Sequence, residues 1–193
     1  MPVTKRTWKR VYKRLDRVSP VPYDCGILCG KACCGGSTEN EIKRTSVQDL
    51  GIFLFPGEEA VQREDPDWLL WSEGGAEEWG FPYSWRAEPV HCVCCKDPSD
   101  CHRSQRSLQC RTFPVFPHLR EDGTMGLIYN DLELPYDCPL IREEVPLDPV
   151  FLKTTYRVWK RLLRDPRIHD LVAMESDNRR PEFSEDQILY PED

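Results

Sequence analysis

Residues 25–34 read CGILCGKACC, so four cysteines fall within ten positions of the chain. A second group follows in the pattern Cys92-x-Cys94-Cys95-x5-Cys101-x8-Cys110, and Cys138 stands further along. Thiolates at short, turn-compatible spacings are soft, charged ligands that suit zinc and iron–sulfur clusters better than other common partners. The two cysteine groups therefore predict a metal centre around which a small domain folds.

A secreted domain held together by disulfides is the alternative explanation for so many cysteines. Disulfide frameworks rarely place cysteines side by side, as in Cys33-Cys34 and Cys94-Cys95. The N-terminus is positively charged, but the apolar stretch of a secretory signal does not follow it. We therefore expect reduced thiols that bind a metal ion in a cytoplasmic protein.

The composition predicts one loop-rich domain with a modest core. Of the 193 residues 39% are hydrophobic, while 17 prolines and 11 glycines favour short elements joined by turns. A metal centre could supply stability that the core does not. No run reaches the roughly 20 apolar residues of a membrane span. The net charge of −7 argues against general nucleic-acid binding.

Residues 1–20 predict a basic amphipathic helix. An apolar stripe recurs at three- and four-residue steps over residues 4–18, formed by Trp8, Val11, Tyr12, Leu15 and Val18. Lysines and arginines fill the other faces and give residues 1–18 a side-chain charge of +6. We interpret the stripe as packing on the domain, and the alternative is docking of the basic faces on a protein partner or a membrane surface.

Residues 21–174 predict a small α+β domain in which short strands and flanking helices surround the cysteines. Its best helix covers residues 148–164, because Asp148-Pro149 suits a helix start, and residues 167–174 are expected to add one more turn. Residues 175–193 are polar and predict a flexible, acidic tail.

The strands are expected from shorter signals. Residues 126–129 predict a strand, and residues 112–119 predict extended chain. Residues 66–90 are rich in aromatic side chains and contain Gly74-Gly75, which is typical of a β-hairpin. The alternative for this aromatic cluster is a platform that binds a ligand.

The cysteines themselves sit in irregular chain. Four-residue steps would place Cys25, Cys29 and Cys33 on one face of a helix, but the intervening glycines favour a loop or a single turn round a metal. One short repeat links the two groups, since Pro22-Tyr23-Asp24-Cys25 recurs as Pro135-Tyr136-Asp137-Cys138. Four matching residues could be a coincidence; if they are not, the two repeated cysteines leave similar turns and could meet at one site.

In this order the motifs resemble the YkgJ-type cysteine-cluster family, which is described as zinc- or iron-chelating. The resemblance covers about 60% of the chain, residues 23–139. It is carried by Cys25-Gly-x2-Cys29-Gly-x2-Cys33-Cys34, by the apolar run and acidic turn at residues 52–59, by Cys101-x4-Arg106-x3-Cys110-Arg111-Thr112-Phe113-Pro114, and by Cys138-Pro139. Ser107 departs from the family's proline, and two of Cys92, Cys94 and Cys95 are surplus.

What the resemblance implies is metal chelation by eight thiolates: Cys25, Cys29, Cys33, Cys34, one of Cys94 or Cys95, Cys101, Cys110 and Cys138. Eight thiolates fill two tetrahedral zinc sites, or one [4Fe-4S] cluster and one zinc site. Arg103, Arg106 and Arg111 could donate hydrogen bonds to the sulfurs, or could be ordinary surface charge. His91 and His102 adjoin cysteines, but enough thiolates are present without them, so we expect neither to be a ligand.

Three classes of function remain open. The first is a non-catalytic metal-binding protein, in which zinc or iron is structural or is carried for delivery. The second is an iron–sulfur redox or protein-modifying enzyme, because flagellin lysine-N-methylases have a similar cysteine-rich opening. The third is a zinc-stabilised adaptor that binds a protein through its basic helix or aromatic hairpin. Motifs for nucleotide binding, serine hydrolysis and thioredoxin-like exchange are absent from the sequence.

Overall fold

The structure is a computed structural model, and it describes residues 1–23, 25–35, 51–64, 67–96, 105–130 and 136–191. The side chains of residues 34 and 35 are outside this description. In the described part of the chain, no helix combines the length and the apolar character that crossing a bilayer requires.

Helices and strands are both short and are mixed along the chain. The helices in the described ranges are α1 (Lys5–Leu15), α2 (Gly26–Cys29), α3 (Ala32–Gly35), α4 (Glu59–Gln62), α5 (Leu108–Thr112), α6 (Pro139–Arg142), α7 (Pro149–Leu162) and α8 (Pro166–Arg179). Single 3₁₀ turns occur at Tyr83–Trp85 and Glu185–Gln187.

The strands form two small antiparallel sheets. The strands of the first are β1 (Ile52–Phe53), β2 (Leu69–Gly74) and β3 (Val90–Cys95), in the order β1-β3-β2. Leu69 lies opposite Cys95, and Phe53 lies opposite Cys92. A hairpin of β4 (Val115–Leu119) and β5 (Met125–Tyr129) forms the second sheet. The fold is therefore α+β, as predicted, and Cys94 and Cys95 end its central strand.

The two helices with the strongest sequence signals form as expected. Thr4 caps α1 by accepting a hydrogen bond from the Thr7 N–H, and the apolar stripe of α1 is buried up to Leu15. Asp148 caps α7 by accepting from the N–H groups of Val150 and Phe151. A cap of this kind contributes about 1 kcal/mol, which explains why both helix starts could be predicted to within one residue.

The core joins both sheets through one tryptophan. Trp159 on α7 is fully buried, and its ring lies 5.3 Å from that of Phe55 after β1 and 5.4 Å from that of Phe116 on β4. Contact between α1 and α7 closes the core on one side, and contact between α8 and β4 closes it on another. Edge-to-face aromatic pairs at these distances add about 0.5–1.5 kcal/mol each to the burial of their surface.

The C-terminal segment differs from the flexible tail predicted for residues 175–193. Helix α8 continues to Arg179, well beyond the single turn expected at residues 167–174. After it, the Leu127 N–H donates to the Tyr190 carbonyl at 2.7 Å, and the Leu189 N–H donates to the Leu127 carbonyl at 2.8 Å. The prediction rested on the polar composition of the whole segment. It overlooked three consecutive apolar residues that pack on β5: Ile188, Leu189 and Tyr190.

The hairpin predicted within residues 66–90, with its turn at Gly74-Gly75, was wrong in its second half. Strand β2 forms, but it pairs with β3 at residues 90–95, and the second aromatic run lies in a connection, residues 75–89, that carries the 3₁₀ turn. Trp85 in this connection is buried and donates from Nε1 to the Arg167 carbonyl at 2.8 Å. The connection is therefore fixed against the start of α8.

Candidate metal centre

Four predicted ligands line one small cavity, which we call the first cysteine cavity: Cys25, Cys29, Cys33 and Cys138. Its volume is about 20 Å³, which is room for about one water-sized particle. Phe113, Tyr136, Pro139 and Leu140 complete the wall, so the described lining contains no charged side chain. The donor set is therefore made of thiols alone, in an apolar surrounding.

Local backbone turns bring these thiols together. Cys25 precedes the single turn of α2 and Cys29 ends it. Gly30, with φ +58°, and Lys31, with φ +62°, then reverse the chain before α3 begins at Ala32. Residues 25–33 are thus two single helical turns rather than one helix, in keeping with the turn-like chain expected from the glycines.

Cys138 reaches the same cavity from a distant part of the chain. It precedes α6, whose first residue is Pro139. Burial raises the pKa of the Cys138 thiol, the N–H groups of Ile141 and Leu140 lower it, and Cys29 and Cys33 raise it further. The repeated cysteines Cys25 and Cys138 line the same cavity, but the similar turns expected for them are not found, because the backbone of Cys25 is helical and that of Cys138 is extended.

Three more predicted ligands line a neighbouring cavity of about 30 Å³, the second cysteine cavity: Cys94, Cys95 and Cys110. Cys33 lines it too, so this one residue borders both cavities. The Ser107 hydroxyl lies 3.5 Å from the Cys110 sulfur and can donate to it. The two cysteine groups, far apart in the sequence, thus lie together in space.

Three cysteines are not among the described residues that line the two cysteine cavities: Cys34, Cys92 and Cys101. The Cys34 side chain and the whole of Cys101 lie outside the described residues. Cys92 is fully buried in β3, and burial, with Cys94 nearby, raises the pKa of its thiol to about 12. It is absent from the lining of either cysteine cavity, which agrees with a surplus position. Among the eight cysteines with described side chains, no two are joined by a disulfide bond.

The basic and imidazole neighbours are placed differently from one another. Arg106 lines the second cysteine cavity, whereas Arg111 is buried, forms an ion pair with Asp16, and stacks over the Tyr12 ring at 4.1 Å. His91 faces Glu73, with 3.4 Å between Nδ1 and Oε2, and is absent from both cavity linings. Arg103 and His102 lie outside the described residues.

A buried carboxylate that the sequence did not single out supports the second cysteine cavity. Glu58 is fully buried, and its Oε1 accepts from the Tyr12 hydroxyl at 2.5 Å and from the Leu108 N–H at 2.6 Å. Its Oε2 accepts from the Phe55 N–H at 2.9 Å. Since Leu108 begins α5, Glu58 ties the helix that carries Cys110 to α1. The only sequence signal was an acidic turn after Pro56-Gly57.

The electrostatics of this buried pair are dominated by the absence of water. Burial raises the pKa of Glu58, and the hydrogen bonds from Tyr12, Leu108 and Phe55 oppose that rise. Burial also raises the pKa of Tyr12 well above its ordinary value, and the charge of Glu58 raises it further. The phenol therefore keeps its proton at neutral pH and donates a hydrogen bond to Glu58.

The thiols line the cavities without converging on a point. Among the described residues, no three His, Cys, Asp or Glu side chains are grouped as they stand so that they could hold a metal ion. Zinc–sulfur bonds are about 2.3 Å long, so binding would require the cysteine side chains to turn inward. The four thiols that line the ion-sized first cysteine cavity nevertheless fit the ligand preference of zinc.

Comparison with known proteins adds no relative: no family model, no curated protein and no solved structure matches the chain.

Proposed function

We propose that this protein binds zinc through cysteine thiolates, in the cytoplasm, and that the metal has a structural role. One observation carries the proposal: Cys25, Cys29, Cys33 and Cys138, from two distant segments, line a single ion-sized cavity. Four thiolates would complete the tetrahedral shell of zinc and leave no position open for a substrate, which is typical of structural sites.

The second cysteine cavity supports a second metal ion. Cys94, Cys95 and Cys110 line it together with the shared Cys33, and Cys34 and Cys101 are close to these residues in sequence. This arrangement agrees with the resemblance to the cysteine-cluster family, which implies ligands from the same positions. Because thiols must lose their protons to bind zinc, a bound ion would hold these cysteines in the charged form.

Metal analysis after anaerobic purification tests the proposal directly. We expect a colourless protein with at least about one zinc ion per chain. Iron with broad visible absorption would replace the structural zinc assignment by an iron–sulfur centre and would favour the enzyme alternative. A folded protein that binds neither metal would overturn the proposal.

Two cysteine variants show whether the first cysteine cavity holds the ion. Cys138→Ser should lower the bound metal, because it removes a soft anionic ligand from a closed site. Cys92→Ser is the matched control and should retain the metal, since Cys92 is absent from the described lining of either cysteine cavity. Equal metal content in Cys138→Ser and the parent would exclude this cavity as the site.

The exposed face of α1 supports a second candidate function, a zinc-stabilised adaptor that binds an acidic protein segment. Trp8, Val11, Tyr12 and Leu15 fix the helix to the core, and Lys5 and Lys9 pair with Glu64. The outward face carries further exposed cations: Arg6, Arg10, Lys13, Arg14 and Arg17. Their charge complements an acidic partner far better than the rest of this acidic chain does.

Binding of a polyglutamate peptide at several salt concentrations tests the adaptor. Changing Arg10 and Arg14 to glutamine should weaken binding and flatten its salt dependence. Changing Lys153 and Arg157 on α7, which are also exposed, makes the same change in charge and should have little effect. Equal weakening by both pairs, or binding to anionic vesicles alone, would argue against a protein-binding helix.

A further inference from the structure

A cavity of about 260 Å³, which we call the aromatic cavity, lies beside the cysteine cavities. Ile52 and Cys110 line the second cysteine cavity, whereas their chain neighbours Phe53 and Gln109 line the aromatic cavity. Its volume is about ten times larger than that of either cysteine cavity. It falls just below the range of about 300–1,000 Å³ for sites that bind drug-sized molecules, so it suits a small organic molecule rather than an ion.

Six aromatic rings form most of the apolar wall: Phe53, Phe55, Trp79, Phe81, Trp85 and Phe116. The rings hold one another in place, with centroids 5.3 Å apart for Phe53 and Trp79 and 5.0 Å apart for Phe53 and Phe81. The Trp79 ring also packs tightly on the backbone of Gly74, where an added Cβ would lie 2.5 Å from it. The wall is therefore rigid and already formed.

One cation and one carboxylate stand together in the lining. Arg179 and Glu175 are one turn apart on α8, with 4.0 Å between Nη1 of Arg179 and Oε2 of Glu175. The Arg179 side chain is 7% exposed and that of Glu175 is 29% exposed. Arg179 also donates to the Glu175 carbonyl at 3.3 Å and to the Asn130 side-chain oxygen at 3.4 Å. The polar end of the cavity thus has both signs of charge at short separation.

We propose that the aromatic cavity binds a small zwitterion, an α-amino acid with an aromatic side chain. Its carboxylate would lie against Arg179, whose planar guanidinium suits a carboxylate. Its ammonium would lie against Glu175, and its ring would pack edge to face among the wall residues. The ammonium and the carboxylate of an α-amino acid are bonded to the same carbon. Their short separation matches the short separation of Glu175 and Arg179.

Ligands with a single charge fit the cavity less well. An aromatic acid could pair with Arg179 but would bring a second negative charge close to Glu175. An aromatic amine would face the reverse problem at Arg179. In a partly desolvated cavity such like-charge contacts are costly. No cysteine is among the described residues that line this cavity, so the bound amino acid would not contact the metal ligands directly.

Isothermal titration of the full chain with three ligands tests the proposal: L-phenylalanine, 3-phenylpropanoate, which lacks the ammonium, and phenethylamine, which lacks the carboxylate. We expect L-phenylalanine to bind at least about tenfold more tightly than either analogue, because each analogue loses a charge-assisted hydrogen bond. Either analogue binding as tightly as the amino acid, or no binding of the amino acid at millimolar concentrations, would overturn the proposal.

A variant at the less buried charge separates recognition from folding. Glu175→Gln should weaken L-phenylalanine about tenfold and leave 3-phenylpropanoate unchanged or bound more tightly, because the repulsion is removed. Asp177→Asn makes the same change on an exposed part of α8 and should alter neither ligand. A Glu175→Gln variant that binds the amino acid as the parent does would contradict the proposal.

Discussion

Gln109 and Cys110 are consecutive residues of α5, yet Gln109 lines the aromatic cavity and Cys110 lines the second cysteine cavity. The Gln109 side chain also donates to the Phe53 carbonyl at 3.1 Å, which joins α5 to β1. These two short elements separate the two cavities. A change in the thiols on one side is therefore expected to reach the aromatic wall on the other.

The first prediction concerns Cys110. Cys110→Ser should lower bound zinc and the melting temperature, because structural zinc contributes about 10–16 kcal/mol in small domains and a whole domain has about 5–15 kcal/mol. Metal content and thermal unfolding measure both effects. Gln109→Ala, at the neighbouring residue, is the control. It should retain the metal, and its free energy of unfolding should fall by about 1 kcal/mol because the hydrogen bond to Phe53 is lost. Equal metal in Cys110→Ser and the parent would show that this thiol is not a ligand.

The sequence predicted which cysteines would come together better than it predicted what supports them. Spacing alone placed Cys25 near Cys29 and Cys33, since they are neighbours in the chain. Cys138 came from the family resemblance and from the Pro-Tyr-Asp-Cys repeat, although the backbone of Cys25 is helical and that of Cys138 is extended. By contrast, the role of Glu58 depends on its burial beside Tyr12, which arises only once α1 packs on the domain. That packing joins distant parts of the chain, so it could not be predicted from the residues that neighbour Glu58 in sequence.

The second prediction therefore tests Glu58. Glu58→Gln should lower the free energy of unfolding by about 2–3 kcal/mol, because three donors point at a carboxylate and an amide offers only one oxygen. Tyr12→Phe should lower the free energy of unfolding by less than Glu58→Gln does. The loss in the double variant should be smaller than the sum of the losses in the two single variants. Urea unfolding measures all three. Glu59→Gln, one residue along and only partly buried, is the control, and an equal loss there would contradict the assignment.

The secondary structure was predictable where the signal was local. The caps at Thr4 and Asp148 and the hairpin turn between β4 and β5 are set by adjacent residues. The pairing of β1 with β3 joins residues 52–53 to residues 92–93, and two residues of apolar chain cannot specify such a partner. The prediction for the last residues was wrong for a similar reason, because the contacts of Tyr190 with Leu127 of β5 and Tyr156 of α7 are distant in sequence.

The third prediction concerns this C-terminal segment. In a chain ending at Gln187 the free energy of unfolding should be lower by about 2–4 kcal/mol. Such a chain lacks the two backbone hydrogen bonds to Leu127 and the packing of Ile188, Leu189 and Tyr190. A chain ending at Pro191 keeps those contacts and serves as the control. Denaturant unfolding compares the two. Equal stability would mean that the segment is the flexible tail that its polar composition predicts.

The last prediction follows from His118, a buried histidine of β4. Its side chain is 1% exposed, its ring stacks on that of Phe183 at 3.9 Å, and its Nδ1 has no hydrogen-bond partner among the described residues. Burial lowers its pKa below the ordinary value of 6.5, and the positive charges of Arg179, Arg180 and Arg120 lower it further, against an opposing effect of Glu185. The folded protein therefore keeps this imidazole neutral.

Because the folded pKa is depressed, the contribution of His118 to stability is present above pH 6.5 and is lost as the pH falls through the folded value. Below pH 6.5 the unfolded chain binds a proton at His118 that the folded chain does not bind. The free energy of unfolding should therefore fall by up to about 1.4 kcal/mol for each unit by which the pH is lowered. His118→Gln should have a shallower dependence between pH 7 and 5.5, since glutamine does not titrate. His169→Gln, at an exposed position of α8, is the matched control. Protonation of metal-binding thiols is common to all three proteins, so the difference in slope isolates His118, and parallel curves for parent and His118→Gln would refute the assignment.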